Sequence, residues 1–319
     1  MNAYQALYKK IKEYNRIIIT THIRPDGDCL GSGFGLKDII KWSFPEKEVY
    51  LLGEEADYLS FLGKTDQIAD DKFDGALLIA LDTATRDRIC DQRYVKAKEL
   101  FKIDHHINVD PYGDHIWVEE EKCACSQMIA EFFFYHFKKL GISQDGLDAL
   151  YTGICTDSGR FKYRGVDGDT FRIVGALVDL GANFEMILAN LDKKSENLVK
   201  FNGYVLSNYQ KTENGVAYIK LPNHLFVEYG VSMDEGVSLV NELGVFEDCP
   251  VWIFISEYPD KSIRCRLRSK GPDIDKLANK YNGGGHSMAA GANINSFEES
   301  DALLKDADEI VKNYKKSFK

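Results

Sequence analysis

Eight side chains able to bind cations or move protons stand at a few sharply defined places in the chain. His22, Asp26 and Asp28 occur together in Thr21-His22-Ile23-Arg24-Pro25-Asp26-Gly27-Asp28. Asp82 ends one apolar run, and Asp104-His105-His106 ends another. Asp157 lies in Gly153-Ile154-Cys155-Thr156-Asp157-Ser158-Gly159, a turn of small residues. Aspartates crowded into one crevice repel one another and retain protons unless cations are present. Divalent ions remove that repulsion. Pro25 and Gly27 shape a tight turn that can aim Asp26 and Asp28 at different points. Two carboxylates aimed apart, with a third placed between them, is what a pair of adjacent cations requires. Histidine and carboxylate without thiolate suit Mn²⁺, with Mg²⁺, Co²⁺ or Fe²⁺ as alternatives.

Each residue also has a plain reading. An aspartate after a strand caps the next helix, a lone histidine is structural, and Asp-Ser-Gly is an everyday turn. The functional reading rests on agreement between elements. Arg16 to Thr21, Val49 to Leu52, Gly75 to Leu81 and Leu100 to Ile103 read as buried strands. Helical patterns run over Gly33 to Trp42, Ser126 to Leu140 and Leu147 to Cys155. Strands alternating with helices predict a parallel α/β sheet, and ligands of such sheets bind beyond the carboxyl ends of the strands. Three strands run directly into His22, Asp82 and Asp104, so these groups are expected to converge although they are far apart in sequence.

The remaining chain predicts a second, smaller α/β domain. Phe184 to Gln210 is helical, polar and long. Strand-like runs follow at Gly215 to Leu221, Val251 to Ile255 and Ser262 to Leu267. The expected organisation is a metal-binding domain over 1–185, a connecting helix over 186–210 and a second domain over 211–319. In Ile263-Arg264-Cys265-Arg266-Leu267-Arg268 the strict alternation puts three arginines on one strand face, roughly 6.5–7 Å apart. Guanidinium forks suit phosphate oxygens; the plain alternative is a solvated face. Gly271-Pro272 is expected to open a helix ending near Asn282. Gly283, Gly284 and Gly285 before His286 predict a backbone nest for an anion.

Composition narrows the partners. The 319 residues carry a formal charge of −10, against a broad basic surface for long duplex nucleic acid. Any nucleic-acid contact is expected to be short and local. No apolar run is long enough to span a bilayer, and the start lacks the layout of a signal peptide, so a cytoplasmic location is expected. Seven scattered cysteines argue against a disulfide framework. Cys123 and Cys125 have no second pair at zinc spacing and read as ordinary thiols.

Taken together, His22-x-x-x-Asp26-x-Asp28, Asp82, Asp104-His105-His106 and Asp157 resemble the four motifs of the DHH phosphoesterase superfamily, in order. Gly283-Gly284-Gly285-His286, with Ala289, Ala290 and Gly291 behind it, resembles the DHHA1 domain signature. Within the superfamily the chain is most similar to the bacterial bifunctional oligoribonucleases and pAp phosphatases. That closer likeness is carried by Pro111 to Asp114, Arg268 to Pro272 and Lys280 to His286.

The resemblance implies a hydrolase that cleaves short RNA or DNA oligonucleotides and converts 3′-phosphoadenosine 5′-phosphate (pAp) to AMP, with two Mn²⁺ ions. It implies that His22, Asp26 and Asp82 hold one ion, and that Asp28, Asp82, His106 and Asp157 hold the other. His105 would then work on the substrate side or handle a proton, and Asp104 would orient a histidine from behind. Arg268 and Ser269, then Arg264, are the implied substrate contacts, with Gly284, Gly285 and His286 as the clamp. Competing activities are hydrolysis of the linear dinucleotide pApA and, within the same superfamily, of pyrophosphate or polyphosphate. A homodimer stays open.

Overall fold

Three consecutive isoleucines, Ile17 to Ile19, are β-branched and favour extended backbone. They form the centre of strand β1 (Arg16–Thr20) in the computed structural model, which describes residues 2–163 and 165–317. The chain divides into two compact units, Met1–Lys193 and Lys194–Lys319.

The first unit holds β1, β2 (Glu48–Leu52), β3 (Leu77–Leu81), β4 (Glu99–Asp104) and β5 (His115–Val118). They form one sheet in the order β2-β1-β3-β4-β5, every pairing parallel. Successive residues point to opposite faces. Ile17, Ile19, Leu77, Ile79 and Leu81 join the main core, while Ile18, Leu78 and Ala80 pack on the other side with Phe73, Ile89 and Tyr112. β3 is therefore apolar along its whole length, as a strand covered on both faces must be. Each such buried side chain contributes about 1.5–3 kcal/mol. The helices of this unit are α1 (Ala3–Glu13), α2 (Gly27–Ser43), α3 (Cys125–Tyr135), α4 (Gln144–Asp157), α5 (Gly168–Asp179) and α6 (Phe184–Leu191).

Two of these helices decide where the chemistry sits. Along α2, Gly27 faces Thr156, Gly31 faces Ala149 and Gly153, and Gly35 faces Leu150. Ascending positions on α2 meet descending positions on α4, so the helices run antiparallel. A Cβ on Gly31 would stand 2.6 Å from the Ala149 carbonyl oxygen, so the backbones approach too closely for a side chain there. The contact places the start of α2 against the end of α4, and thus Asp28 beside Asp157.

The second unit contains α7 (Glu196–Asn208), β6 (Gln210–Lys211), β7 (Val216–Leu221), α8 (Asn223–Tyr229), α9 (Met233–Ser238), β8 (Val251–Glu257), β9 (Ile263–Ser269), α10 (Asp275–Lys280), β10 (Gly284–Gly285), β11 (Ala289–Ile294) and α11 (Glu299–Lys316). Its sheet runs β10-β11-β9-β8-β7-β6, with β7 and β8 parallel and the other pairs antiparallel. One face packs Ile253, Ile255 and Leu267 against Leu303, Ala307 and Val311 of α11. The other packs Ala217, Ile219 and Phe254 against Phe201 of α7 and Phe226 of α8.

The expected α/β architecture is observed in both units. Several local expectations differ. The segment 186–210 is not one connecting helix. It is parts of α6 and α7, separated at Asp192–Ser195, where the Ser195 hydroxyl caps α7 through Leu198 N. The helix expected from Pro272 begins at Asp275, because the Pro272 carbonyl is taken by the Ser269 hydroxyl at 2.6 Å. α3 stops at Tyr135, short of the expected Leu140.

Candidate metal centre

The loop after β1 turns His22 inward until its side chain is 4% exposed. Its Nδ1 stands 3.0 Å from the Ile23 carbonyl oxygen and 3.4 Å from Arg88 Nη2, contacts that orient the ring with Nε2 toward the carboxylates. Nε2 faces Asp26 Oδ2 at 3.7 Å and Asp82 Oδ2 at 3.6 Å. His105 is oriented in the same way, with Nδ1 3.1 Å from the Lys122 carbonyl oxygen. Its Nε2 lies 3.7 Å from Asp28 Oδ2, 3.4 Å from Asp82 Oδ1 and 3.3 Å from Asp157 Oδ2.

Asp82 is the centre of this arrangement. One of its oxygens faces His22 and the other faces His105, and Oδ1 is buried without a hydrogen-bond donor. Its backbone has φ 51°, the left-handed region, which aspartate tolerates better than most residues.

Asp26 and Asp28 each combine two roles. Asp26 Oδ1 caps α2 by accepting from Asp28 N and Cys29 N, which leaves Oδ2 for His22. Asp28 accepts from Cys125 N at 2.6 Å and Ser126 N at 2.7 Å, so it caps α3, whose N-cap residue Ala124 has no side chain to do so. A carboxylate oxygen has two lone pairs, so capping and ligation are compatible.

The two adjacent histidines separate into different environments. The resemblance implied His106 as a ligand of the second ion, with His105 outside it. The distances put His105 among Asp28, Asp82 and Asp157, and His106 Nδ1 also stands 3.5 Å from Asp82 Oδ1, close enough for Asp82, His105 and His106 to share an ion. His106 Nδ1 is 2.9 Å from Asp104 Oδ1 and its side chain is 39% exposed. Asp104 also accepts from His106 N at 3.2 Å, so it orients this histidine, as expected of it.

One group was not anticipated. The Cys29 thiol, fully buried in the first turn of α2, lies with His22 and Asp82 in a set whose ligand atoms are within 4.8 Å of one another. The donor set is therefore not free of sulfur. Burial holds this thiol up to about 11, so it is neutral and adds no charge. Its position directly after Asp28 was the available signal.

Electrostatics agree with a centre built for cations. Burial opposes a charged His105, but Asp82, Asp28 and Asp157 outweigh it and raise the imidazole to about 10. His22 is raised in the same way by Asp26 and Asp82. Burial and then the neighbouring Asp82 and Asp157 push Asp28 well above the usual carboxylate range. Burial, relieved in part by His105, lifts Asp157 to about 6. Protons thus occupy the positions divalent ions would fill, and the His22 and His105 Nε2 atoms, once deprotonated, with the undonated Asp82 oxygen are the donors such ions need.

In the second unit the arginine face is present. Ile263, Cys265 and Leu267 are buried, while Arg264, Arg266 and Arg268 share the opposite face. On β11 they are paired with Asn293, Gly291 and Ala289. Arg264 lies over the Tyr258 ring at 4.1 Å and is 3.6 Å from Asp260, and Arg268 Nη1 donates to the Leu267 carbonyl. Ser269 is buried, and its hydroxyl donates to the Pro272 carbonyl and accepts from Gly271 N. Gly284 and Gly285 form the edge strand β10 rather than an open nest. A Cβ on Gly283 would stand 1.9 Å from the Gly291 carbonyl oxygen, so close strand approach demands that glycine. His286 is exposed at the hairpin, with its N–H on the Ala289 carbonyl.

A parallel-sheet unit with histidines and aspartates gathered at its strand ends, followed by a mixed-sheet unit bearing an arginine face, defines a hydrolase of the phosphoesterase class. Residues 16–154 match the DHH family, N-terminal domain, and residues 214–313 match the DHHA1 domain. The chain belongs to the DHH–DHHA1 phosphoesterases, which are metal-dependent enzymes. It is 37% identical to the bifunctional oligoribonuclease and PAP phosphatase NrnA of Bacillus subtilis, over 97% of this chain and 98% of that one. It is 35% identical to the probable bifunctional oligoribonuclease and PAP phosphatase NrnA of Streptococcus mutans, over 98% of this chain and the whole of that one. The fold is shared with an exopolyphosphatase-related protein from Bacteroides fragilis, at a TM-score of 0.87, 24% identity and 97% coverage of both chains.

Proposed function

We propose that this chain hydrolyses pAp to AMP and short oligoribonucleotides to mononucleotides, with two Mn²⁺ ions held in the first unit. The observation that carries the reading is Asp82, buried between His22 and His105 with one oxygen toward each. The full-length likeness to the NrnA proteins of Bacillus subtilis and Streptococcus mutans supplies the substrate class. His22, Asp26 and Asp82 would hold one ion. Asp28, Asp82, His105 and Asp157 would hold the other, with His105 in the place the resemblance gave to His106. Bound divalent ions supply Lewis acidity toward the phosphoryl group and make water acidic enough to ionise near neutral pH.

The protein's own groups do the remaining work. Ile23 and Lys122 carbonyls orient the His22 and His105 rings with Nε2 toward the carboxylates. Asp104 holds the proton of His106 on Nδ1, so Nε2 serves the substrate side, hydrogen-bonding a phosphoryl oxygen or passing a proton to the leaving oxygen. In the second unit Arg268 and Arg264 carry planar forks suited to phosphate oxygens, and exposed His286 adds a further donor. Gly284, Gly285 and Ser269 contribute through the hairpin and turn that set these side chains.

The deciding experiment is a Mn²⁺-dependent time course on end-labelled RNA and DNA oligomers of increasing length, with pAp and pyrophosphate beside them. Turnover of pAp and of the shortest RNA, with little of pyrophosphate, is the expected result. Phosphate release from pyrophosphate without pAp turnover would move the chain to the pyrophosphatase reading.

A further inference from the structure

Asp82 holds a left-handed backbone at the midpoint of the centre, and such strain persists only where the surroundings enforce it. Two buried side chains grip the carbonyls that follow it. Tyr112 OH donates to the Thr83 carbonyl at 2.7 Å, and Lys102 Nζ donates to the Ala84 carbonyl at 2.8 Å. Lys102 is fully buried on β4, two residues before Asp104. Its ammonium also reaches Asn108 Oδ1 and the Asp110 carbonyl, both at 3.2 Å, and lies 3.4 Å from Asp104 Oδ2. It sits 4.7 Å over the Tyr112 ring, so the two side chains form one knot. Its three N–H groups thus go to the loop after β3 and the loop after β4, the loops that follow Asp82 and the histidines. A buried ammonium is expensive unless fully paired, and here its three hydrogen-bond acceptors are loop groups at the chemical end of the sheet, with Asp104 at the end of β4 beside them.

We propose that Lys102 and Tyr112 are positioning residues, a buried clamp that holds Asp82 in its strained conformation and fixes its distance from His105 and His106. They touch neither substrate nor cation. A surface pair, Arg86 with Asp110, ties the same loops from outside and is the weaker tie because it is solvated. The clamp rests on the metal reading given above.

The test uses the full chain and the variants K102M, which keeps the bulk and removes the donors, and Y112F, which removes one hydroxyl. Melting temperature, Mn²⁺ affinity by calorimetry, and kcat and KM on pAp are measured for each. Loss of a partner behind the ligands lowers metal affinity about tenfold or more. K102M is expected to show that loss, with kcat reduced and KM for pAp unchanged, and Y112F a smaller loss in the same direction. A purely structural role would lower the melting temperature alone. Folded K102M with parental Mn²⁺ affinity and kcat overturns the clamp. If K102M does not fold, Y112F decides by the same criterion. Failure of the parent chain itself to bind Mn²⁺ is a different result, because it removes the metal reading and the clamp with it.

Discussion

Asp28 shows how one carboxylate can serve the fold and the site together. It accepts both first-turn N–H groups of α3 and faces His105. Asp28→Ala should therefore lose activity and also about 1–3 kcal/mol of stability, because two buried donors lose their partner. Asp157→Asn should lose Mn²⁺-dependent turnover while keeping the parental melting temperature, since that carboxylate faces His105 and holds no element of the fold in place; a large drop in melting temperature would contradict this. Protonation gives a third test. Asp157 is raised to about 6 by burial, and His105 to about 10 by its carboxylates against burial. A proton on either competes with a cation. Mn²⁺ uptake at neutral pH should release protons, read as a dependence of calorimetric heat on buffer ionisation. Affinity should rise with pH through about 6, as Asp157 loses its proton, and go on rising toward about 10, as His105 loses its own; heats independent of buffer would contradict the ligand set. At this scale the sequence exposed the residue types and their order. It could not distinguish His105 from His106, because adjacent residues in a turn point in different directions and only Lys122 and Asp104 decide which way. It also missed Cys29, because standing next to Asp28 does not say which way its thiol turns.

At the scale of elements, the site depends on how closely α2 and α4 pack. Gly153 on α4 is enclosed by α3 as well as by α2. A Cβ there would lie 1.9 Å from Ser126 Oγ and 3.1 Å from Asp28 Oδ1. Gly153→Ala should cost about 1–3 kcal/mol by overpacking and weaken Mn²⁺ binding by displacing Asp28. At Gly175 in α5 nothing lies within 4 Å of the place a Cβ would take, so Gly175→Ala should stabilise by about 0.5–1 kcal/mol and leave metal affinity unchanged. Thermal melts and calorimetry on both variants check the contrast. The buried strands were legible because apolar runs in a parallel sheet need no partner to be recognised. β5 was not, since the four residues His115 to Val118 are too few to show a strand period. The glycine run before His286 reads from sequence as an anion nest, but its pairing with β11 is set by residues after the turn.

For the whole molecule, likeness to the NrnA proteins runs across both units. A net charge of −10 leaves little general attraction for nucleic acid, so the proposed function needs a local contact, and the arginine row on β9 is the candidate. Arg268→Ala should chiefly raise KM for pAp; an unchanged KM would count against the row. The division into two units was visible in the change of pattern after Phe184, but the break at Asp192–Ser195 was not, because polar helical residues run through it on both sides. The central claim is that distant segments form one cage for two cations around Asp82. Anomalous scattering from crystals grown with Mn²⁺ tests it directly. The account predicts two peaks, one among His22, Asp26 and Asp82 and one among Asp28, Asp82, His105 and Asp157. No peak beside Asp82, or ions bound only elsewhere, would contradict it.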